Sequence, residues 1–251
     1  MTWNILDIVK AGNFLPDVRK ITTHWCSSDS QELFEKNLRI QPDDWIWRTR
    51  QVKYTLNSVR YRCPEWQDID WKNSILMFGC SQVFGIGVDD ADTIPNILST
   101  LLGTPVINLG ISGSSMLFSF HNALQYHAGN RPTPLGVINL WTSCCRTTTY
   151  KKDWIEYHGP WNIKQEDIFD LYNIDAINPK INALQIERSS RIIWKDTKYF
   201  SASFFDDTVD ALGCVNLTHT CKTLNDSRDG IHTGPDSNKR VAEYLANKIN
   251  Y

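Results

Sequence analysis

The most regular stretches of the chain are short apolar runs closed by glycine. Ser74–Phe78 runs into Gly79, Pro105–Leu109 runs into Gly110, and Gly136–Trp141 forms a third run of the same kind. Unbroken apolar segments this short, bounded by turn residues, fit strands buried on both faces. Helical patterns lie between them. Thr93-Ile94-Pro95 opens one, with Thr93 or its neighbour as cap and Pro95 in the first turn, and Gly103 closes it. Ser114–His127 reads as the next helix, with Leu117, Phe120 and Leu124 as its apolar face. Strand–helix–strand–helix–strand with short links predicts a parallel sheet covered by helices on both faces. Further on, Asn178-Pro179 starts a helix reaching about Lys195, and Tyr199–Phe205 is a fourth strand. Pro235–Ile249 is the final helix, where Val241, Leu245 and Ile249 recur every four residues and Ala242 widens the stripe.

The flanks have a different texture. Residues 1–70 are rich in Trp, Arg and Asp with little periodicity, and read as an N-terminal extension packed on a main domain of residues 71–251. Residues 147–176 are polar and aromatic and read as an insertion. Trp45, Trp47, Trp66, Trp71, Trp154 and Trp161 are expected to pack these segments onto the main domain in preference to forming a sugar platform.

Charge and cysteine content narrow the function classes. The 251 residues carry 26 Lys+Arg against 28 Asp+Glu, with no basic surplus for a nucleic-acid partner. No run of about eighteen apolar residues is present, so no membrane span is expected. Met1–Pro16 lacks the basic start and apolar core of a signal peptide, which predicts a cytoplasmic protein or one otherwise without such a signal. The seven cysteines include no Cys-x-x-Cys pair, and Cys214, His219 and Cys221 have no fourth partner, so reduced thiols and no metal are expected. Asp89, Asp90 and Asp92 read as a solvated helix entry, and His121 and His127 as structural or exposed. A Gly-x-Ser-x-Gly elbow, a Walker loop and His-Glu-x-x-His are absent from the sequence.

In an open parallel sheet, ligands bind beyond the carboxyl ends of the strands. That rule points to Gly79–Val88, Gly110–Ser115 and Thr142–Arg146. Just before the last helix, Asp226-Ser227-Arg228-Asp229-Gly230-Ile231-His232 places a carboxylate three residues ahead of a histidine. A serine needs a base to take its proton during attack, and the base needs an orienting partner. Ser81, His232 and Asp229 fill those roles if their loops meet.

Three segments together resemble the SGNH (GDSL-type) hydrolase superfamily. Gly79-Cys80-Ser81, with Gly85-Ile86-Gly87-Val88 after it, is similar to the family's first block. Asn108-Leu109-Gly110-Ile111-Ser112-Gly113 resembles the second, and Asp229-Gly230-Ile231-His232 the last. They occur in the family's order. The resemblance implies an α/β fold, a three-layer α/β/α sandwich with a short parallel sheet of flavodoxin-like order. It implies Ser81 as nucleophile, His232 as general base and then acid, and Asp229 as the residue holding the imidazole. The oxyanion donors it implies are the N–H groups of Ser81 and Gly113 and a third group from the block after the third strand. There Ser143 falls near the family's Asn, with Thr142 as the alternate. Arg146 stands next to this position as a candidate for an anionic substrate group, although an ordinary ion-pair role is favoured. Cys80 replaces the family's Asp before the serine, and Cys80 as nucleophile is the weaker reading because Ser81 holds the family position. The activity implied is serine ester hydrolysis without metal or cofactor. The implied partner is a small-molecule or carbohydrate ester, such as an O-acetyl group. A binding scaffold without catalysis and an acyltransferase using the same triad are the alternatives. Domains of this family occur in viral and bacterial genomes alike.

Overall fold

The computed structural model describes residues 21–150, 155–159, 178–220 and 226–249. Met1–Pro16, Trp154, Trp161, Cys221 and residues 160–176 of the expected insertion lie outside the described residues. The described N-terminal part contains β1 (Ile21–Thr23), α1 (Gln31–Ile40) and β2 (Tyr54–Leu56), with β1 and β2 paired antiparallel. Ser30 caps α1 by accepting the Leu33 N–H.

The central sheet follows. Its strands are β3 (Ile75–Gly79), β4 (Val106–Gly110), β5 (Gly136–Trp141), β8 (Lys198–Ser203) and β9 (Val215–Asn216). The helices are α2 (Ser81–Phe84), α3 (Ile94–Leu102), α4 (Met116–Ala128), α5 (Asn178–Ile193), α6 (Asp206–Leu212) and α7 (Pro235–Lys248). Between β5 and α5 lies a small antiparallel hairpin of β6 (Thr147–Tyr150) and β7 (Ile155–His158). All pairings in the central sheet are parallel, in the order β4-β3-β5-β8-β9. Counted along the sheet alone this is 2-1-3-4-5, the flavodoxin-like order expected from the resemblance. The order reverses between β3 and β5, the switch point at which open α/β sheets bind ligands.

Period-two alternation explains the three layers. Ile75 and Met77 of β3 face Ile94 and Leu98 of α3 and Val241, Ala242 and Leu245 of α7. Leu76 and Phe78 face Phe118, Ala123 and Tyr126 of α4, together with Trp194. The α3 signals act as predicted: the Thr93 hydroxyl accepts the Asn96 N–H, and Gly103 ends the helix at φ 61°.

The expected face of α4 is corrected. Leu117 and Leu124 are each 37% exposed, while Phe118, Ser119, Asn122, Ala123, Gln125 and Tyr126 are buried. The buried stripe carries polar side chains and the outer face carries apolar ones, so hydropathy periodicity selected the wrong side.

Side chains of the described N-terminal part lie against the segment that follows Ser81. Trp47, Val52, Tyr54 and Leu56 form one cluster with Phe84, Ile86 and Val88, the residues following Ser81. Arg62 is buried beneath this cluster and donates to the carbonyls of Phe84, Gly85, Val88 and Lys53. The acidic helix entry is ion-paired: Arg50 binds Asp89 and Asp92, and Arg62 binds Asp90.

Candidate functional site

Ser81 is the first residue of α2, directly beyond the carboxyl end of β3, and is 5% exposed. The strand can turn into a helix here because position 79 has no side chain. A Cβ on Gly79 would lie 2.5 Å from Val83 Cγ2 and 2.8 Å from the Leu140 carbonyl oxygen. The Gly79 carbonyl accepts the Ile111 N–H at 3.0 Å and the Ser114 hydroxyl at 3.4 Å. This pins the loop bearing Gly113 to the strand end that bears Ser81. Gly113 has φ 77°, in the left-handed region that favours glycine. The Ser81 hydroxyl lies 3.9 Å from Cys80 Sγ.

Asp229 and His232 occupy a tight loop closed by a bridge between Asp226 and Thr233, with the Ser227 N–H bonded to the His232 carbonyl. The Asp229 carboxylate is fully enclosed by donors. Oδ1 accepts from the Ser227 hydroxyl at 2.5 Å and from the Ile231 and His232 N–H groups at 3.0 and 3.1 Å. Oδ2 accepts from the Ser28 hydroxyl and lies 2.7 Å from His232 Nδ1. Burial by itself raises this carboxyl's pKa. The bond to His232 and its charge, with the Ser227 and Ser28 hydroxyls, outweigh that and hold it well below the usual carboxylate range. An ionised carboxylate is acceptor only, so Nδ1 of His232 is the donor. In the neutral imidazole this leaves the lone pair on Nε2, the tautomer a general base needs.

The loop is tied to the segment containing Ser81 at two points. The Thr233 hydroxyl lies between two acceptors, Gln82 Oε1 at 2.8 Å and Asn238 Oδ1 at 2.6 Å, and shares its one proton between them, which links the neighbour of His232 both to the neighbour of Ser81 and to α7. The Arg228 N–H donates to the Gly87 carbonyl at 2.9 Å. Gly87 permits this approach: it has φ +73°, and a Cβ there would lie 2.6 Å from Ser227 Oγ.

The block after β5 departs from expectation. The Ser143 hydroxyl donates to Asp207 Oδ2 at 2.6 Å, toward α6. Its one proton is committed to that carboxylate, and the third donor expected at Ser143 is not presented in this arrangement. Thr142 is 2% exposed, and its hydroxyl is buried with no hydrogen-bond partner among the described residues. Arg146 stacks on Phe205 at 5.0 Å. It also lines a cavity of about 480 Å³ with Met116, Leu117, Phe120, Cys144 and Ile186. Cys144, Cys145 and Asp207 place three ligand-type atoms within 4.8 Å of one another. A hydrogen bond with Cys145, burial and the Asp207 charge hold the Cys144 thiol far above its ordinary pKa, as the neutral thiol.

Several site residues escaped the sequence reading. Ser28 reaches Asp229 from 201 positions away, and the Ser27 and Ser112 hydroxyls are 2.7 Å apart. Asp29, 0% exposed, forms an ion pair with Arg228. Only Ser227 had a local signal, a hydroxyl two residues before Asp229 in a turn.

The fold is a doubly wound α/β sheet, and the candidate site is a buried Asp229 carboxylate paired with a part-buried His232, on a loop hydrogen-bonded to the segment that follows Ser81. No protein-family model matches the chain, and no curated protein matches it in sequence. Among solved structures it is similar to TesA, at 14% identity and TM-score 0.47, over 70% of this chain and 98% of that one. It is also similar to a carbohydrate acetylesterase family member from Sinorhizobium meliloti, at 13% identity and TM-score 0.43, over 70% and 97% of the two chains. A third is the psychrotrophic esterase EstA from Pseudoalteromonas sp., at 10% identity and TM-score 0.43, again over 70% and 97%. Likeness at this level carries no argument for fold or function. The fold stands on its own strand order, and the chemistry has to stand on the geometry above.

Proposed function

We propose that the chain is a serine ester hydrolase acting on small acyl esters, carbohydrate O-acetyl groups among them. The observation that carries this reading is the Asp229–His232 pair, held at 2.7 Å by an ionised buried carboxylate and tied through Thr233 and Gln82 to the segment of Ser81. In this reading His232 Nε2 takes the Ser81 proton as Oγ attacks the ester carbonyl. The N–H groups of Ser81 and Gly113 donate to the developing oxyanion, the term that typically contributes most to such catalysis. His232 then returns the proton to the leaving alcohol. Water, deprotonated by the same imidazole, attacks the acyl-serine, and the acid departs with Ser81 restored. The Thr142 hydroxyl, buried without a partner, takes the place assigned to Ser143 as third donor. No step calls on a metal or cofactor.

The commitment of Ser143 to Asp207 favours a second reading, a scaffold that binds but does not turn over. One experiment separates the two. A fluorophosphonate probe is expected to label the parent and to leave both Ser81→Ala and His232→Ala unlabelled. A folded parent that stays unlabelled overturns the hydrolase reading in favour of the scaffold. An acyltransferase would label in the same way, and differs by giving acyl transfer to an added sugar faster than hydrolysis.

A further inference from the structure

Two consecutive residues of the N-terminal segment meet two consecutive residues of the His232 loop. Asp29 pairs with Arg228 through Nε at 2.9 Å and Nη2 at 2.7 Å, with both side chains almost fully buried. Next to it, the Ser28 hydroxyl donates to Asp229 Oδ2 at 2.7 Å. That is the oxygen facing His232 Nδ1. Ser28 is fixed on its own side as well. Cys26 and Asp29 exchange both backbone hydrogen bonds across it, and Ser30 begins α1 as its cap. The tight turn forces Ser27 to φ 56°, a conformation that costs a non-glycine residue energy. That turn also puts the Ser27 hydroxyl on Ser112, the neighbour of Gly113.

From this we infer that Ser28 is a positioning residue of the active site, its hydroxyl holding the Asp229 carboxylate with Oδ2 toward His232. The inference rests on the proposed triad and adds a fourth side chain from the N-terminal segment. Ser227 and two backbone N–H groups hold Oδ1, but among the described residues Oδ2 has no orienting donor other than Ser28 and the imidazole it serves. Without Ser28 the carboxylate can rotate off the Nδ1 axis. The Nδ1–H bond then orients the imidazole less well in the transition state, when the ring carries a full charge. Substrate contacts are untouched, so the loss appears in kcat.

The test uses p-nitrophenyl acetate hydrolysis by the full chain, comparing the parent with Ser28→Ala, Ser28→Thr, Ser28→Cys, Ser30→Ala and Ser81→Ala. Ser28→Ala is expected to lower kcat about tenfold, in line with loss of a hydrogen bond to a charged group, with KM unchanged. Ser28→Thr restores most of the rate because it keeps the donor. Ser28→Cys, a weak donor of similar shape, falls between and covers the case in which the alanine variant does not fold. Ser30→Ala removes only a helix cap, so it lowers Tm and keeps kcat. The inference is overturned if both Ser28→Ala and Ser28→Cys stay within about twofold of the parent kcat. It is equally overturned if Ser30→Ala loses as much kcat as Ser28→Ala. In either of those cases the triad reading stands as long as Ser81→Ala is inactive. If Ser81→Ala keeps the parent rate, the triad itself fails, and the role of Ser28 with it.

Discussion

Replacing Asp29 with alanine tests how the N-terminal segment is held to the His232 loop. The Asp29 carboxylate is 0% exposed and accepts three side-chain hydrogen bonds: from Arg228 Nε at 2.9 Å, Arg228 Nη2 at 2.7 Å and the Tyr54 hydroxyl at 2.5 Å. Hydrogen bonds to charged groups are each worth about 1.5–3 kcal/mol, but three on one carboxylate do not add. The larger effect is on Arg228, 3% exposed, which would keep a buried charge without its counter-ion. Removing one partner of a buried pair costs about 3–5 kcal/mol. The remaining partners of Arg228, the His24 carbonyl and the Trp25 ring at 4.1 Å, hold the cost within that range. We therefore expect Asp29→Ala to lose about 3–5 kcal/mol in urea unfolding, and about 6–20 °C in Tm at roughly 2–4 °C per kcal/mol for a chain of this size. The double variant Asp29→Ala/Arg228→Met removes the stranded charge and is expected to recover part of that loss. A single-variant loss under about 1 kcal/mol, the range of exposed ion pairs, would refute the reasoning. So would strict additivity in the double variant.

Two further outcomes follow from the site. Asp229 has a folded pKa below its unfolded value near 3.8, so its contribution to stability is complete above that value and is lost as pH falls below it. The stability difference between the parent and Asp229→Asn, read by urea unfolding across pH, should be constant near neutrality and shrink below about pH 3.8; a difference unchanged down to pH 2 would sink this. Thr142→Val removes a buried hydroxyl without a partner, so Tm should hold or rise, while kcat for p-nitrophenyl acetate falls about a hundredfold as for loss of an oxyanion donor. An unchanged kcat removes Thr142 from the proposed hole.

What could be read in the sequence was what is local. The run Ser74–Phe78 gave β3 to within a residue because a short apolar run between turn residues has few other uses. Thr93-x-Pro95 and Gly103 gave both ends of α3 because caps are set by adjacent residues. Helix α2 was missed because its four residues sit in a glycine-rich stretch with no room for a period. Helix α6, with seven residues, and β1 and β2, three residues each and paired across more than thirty positions, are likewise too short to show a period. The α4 face was misread because its buried side is lined by Ser119, Asn122 and Gln125. Ser81, Gly113, Asp229 and His232 could be nominated from the sequence because each lies in a short motif at a strand or helix end. Ser28 and the Asp29–Arg228 pair lie 201 and 199 residues from their partners, and a contact that long leaves no local trace. The Ser143 proton was misassigned for the same reason, since its acceptor Asp207 lies 64 residues on.

The loop carrying Asp229 and His232 has almost no regular structure, yet the proposed chemistry needs its geometry held to a fraction of an ångström. Helix α7 starts only after it, at Pro235, so rigidity must come from side-chain anchors. On one side these are Thr233 to Gln82 and Arg228 to the Gly87 carbonyl, which reference the loop to the end of β3. On the other they come from the N-terminal segment: Trp47 Nε1 to the Asp226 carbonyl, Asn37 to the Arg228 carbonyl, Asp29 to Arg228 and Ser28 to Asp229. That segment is itself fixed to the residues after Ser81, through Arg62 and through the Tyr54 hydroxyl accepting the Gly87 N–H. The anchors therefore close a ring: strand end, Gly87 turn, N-terminal segment, His232 loop, and back through Gln82. A break at any one point loosens the Asp229–His232 pair relative to Ser81. In the proposed reading Ser28, Asp29, Asn37, Trp47, Tyr54 and Arg62 thus support the site, although nothing in their own sequence marks them as part of it.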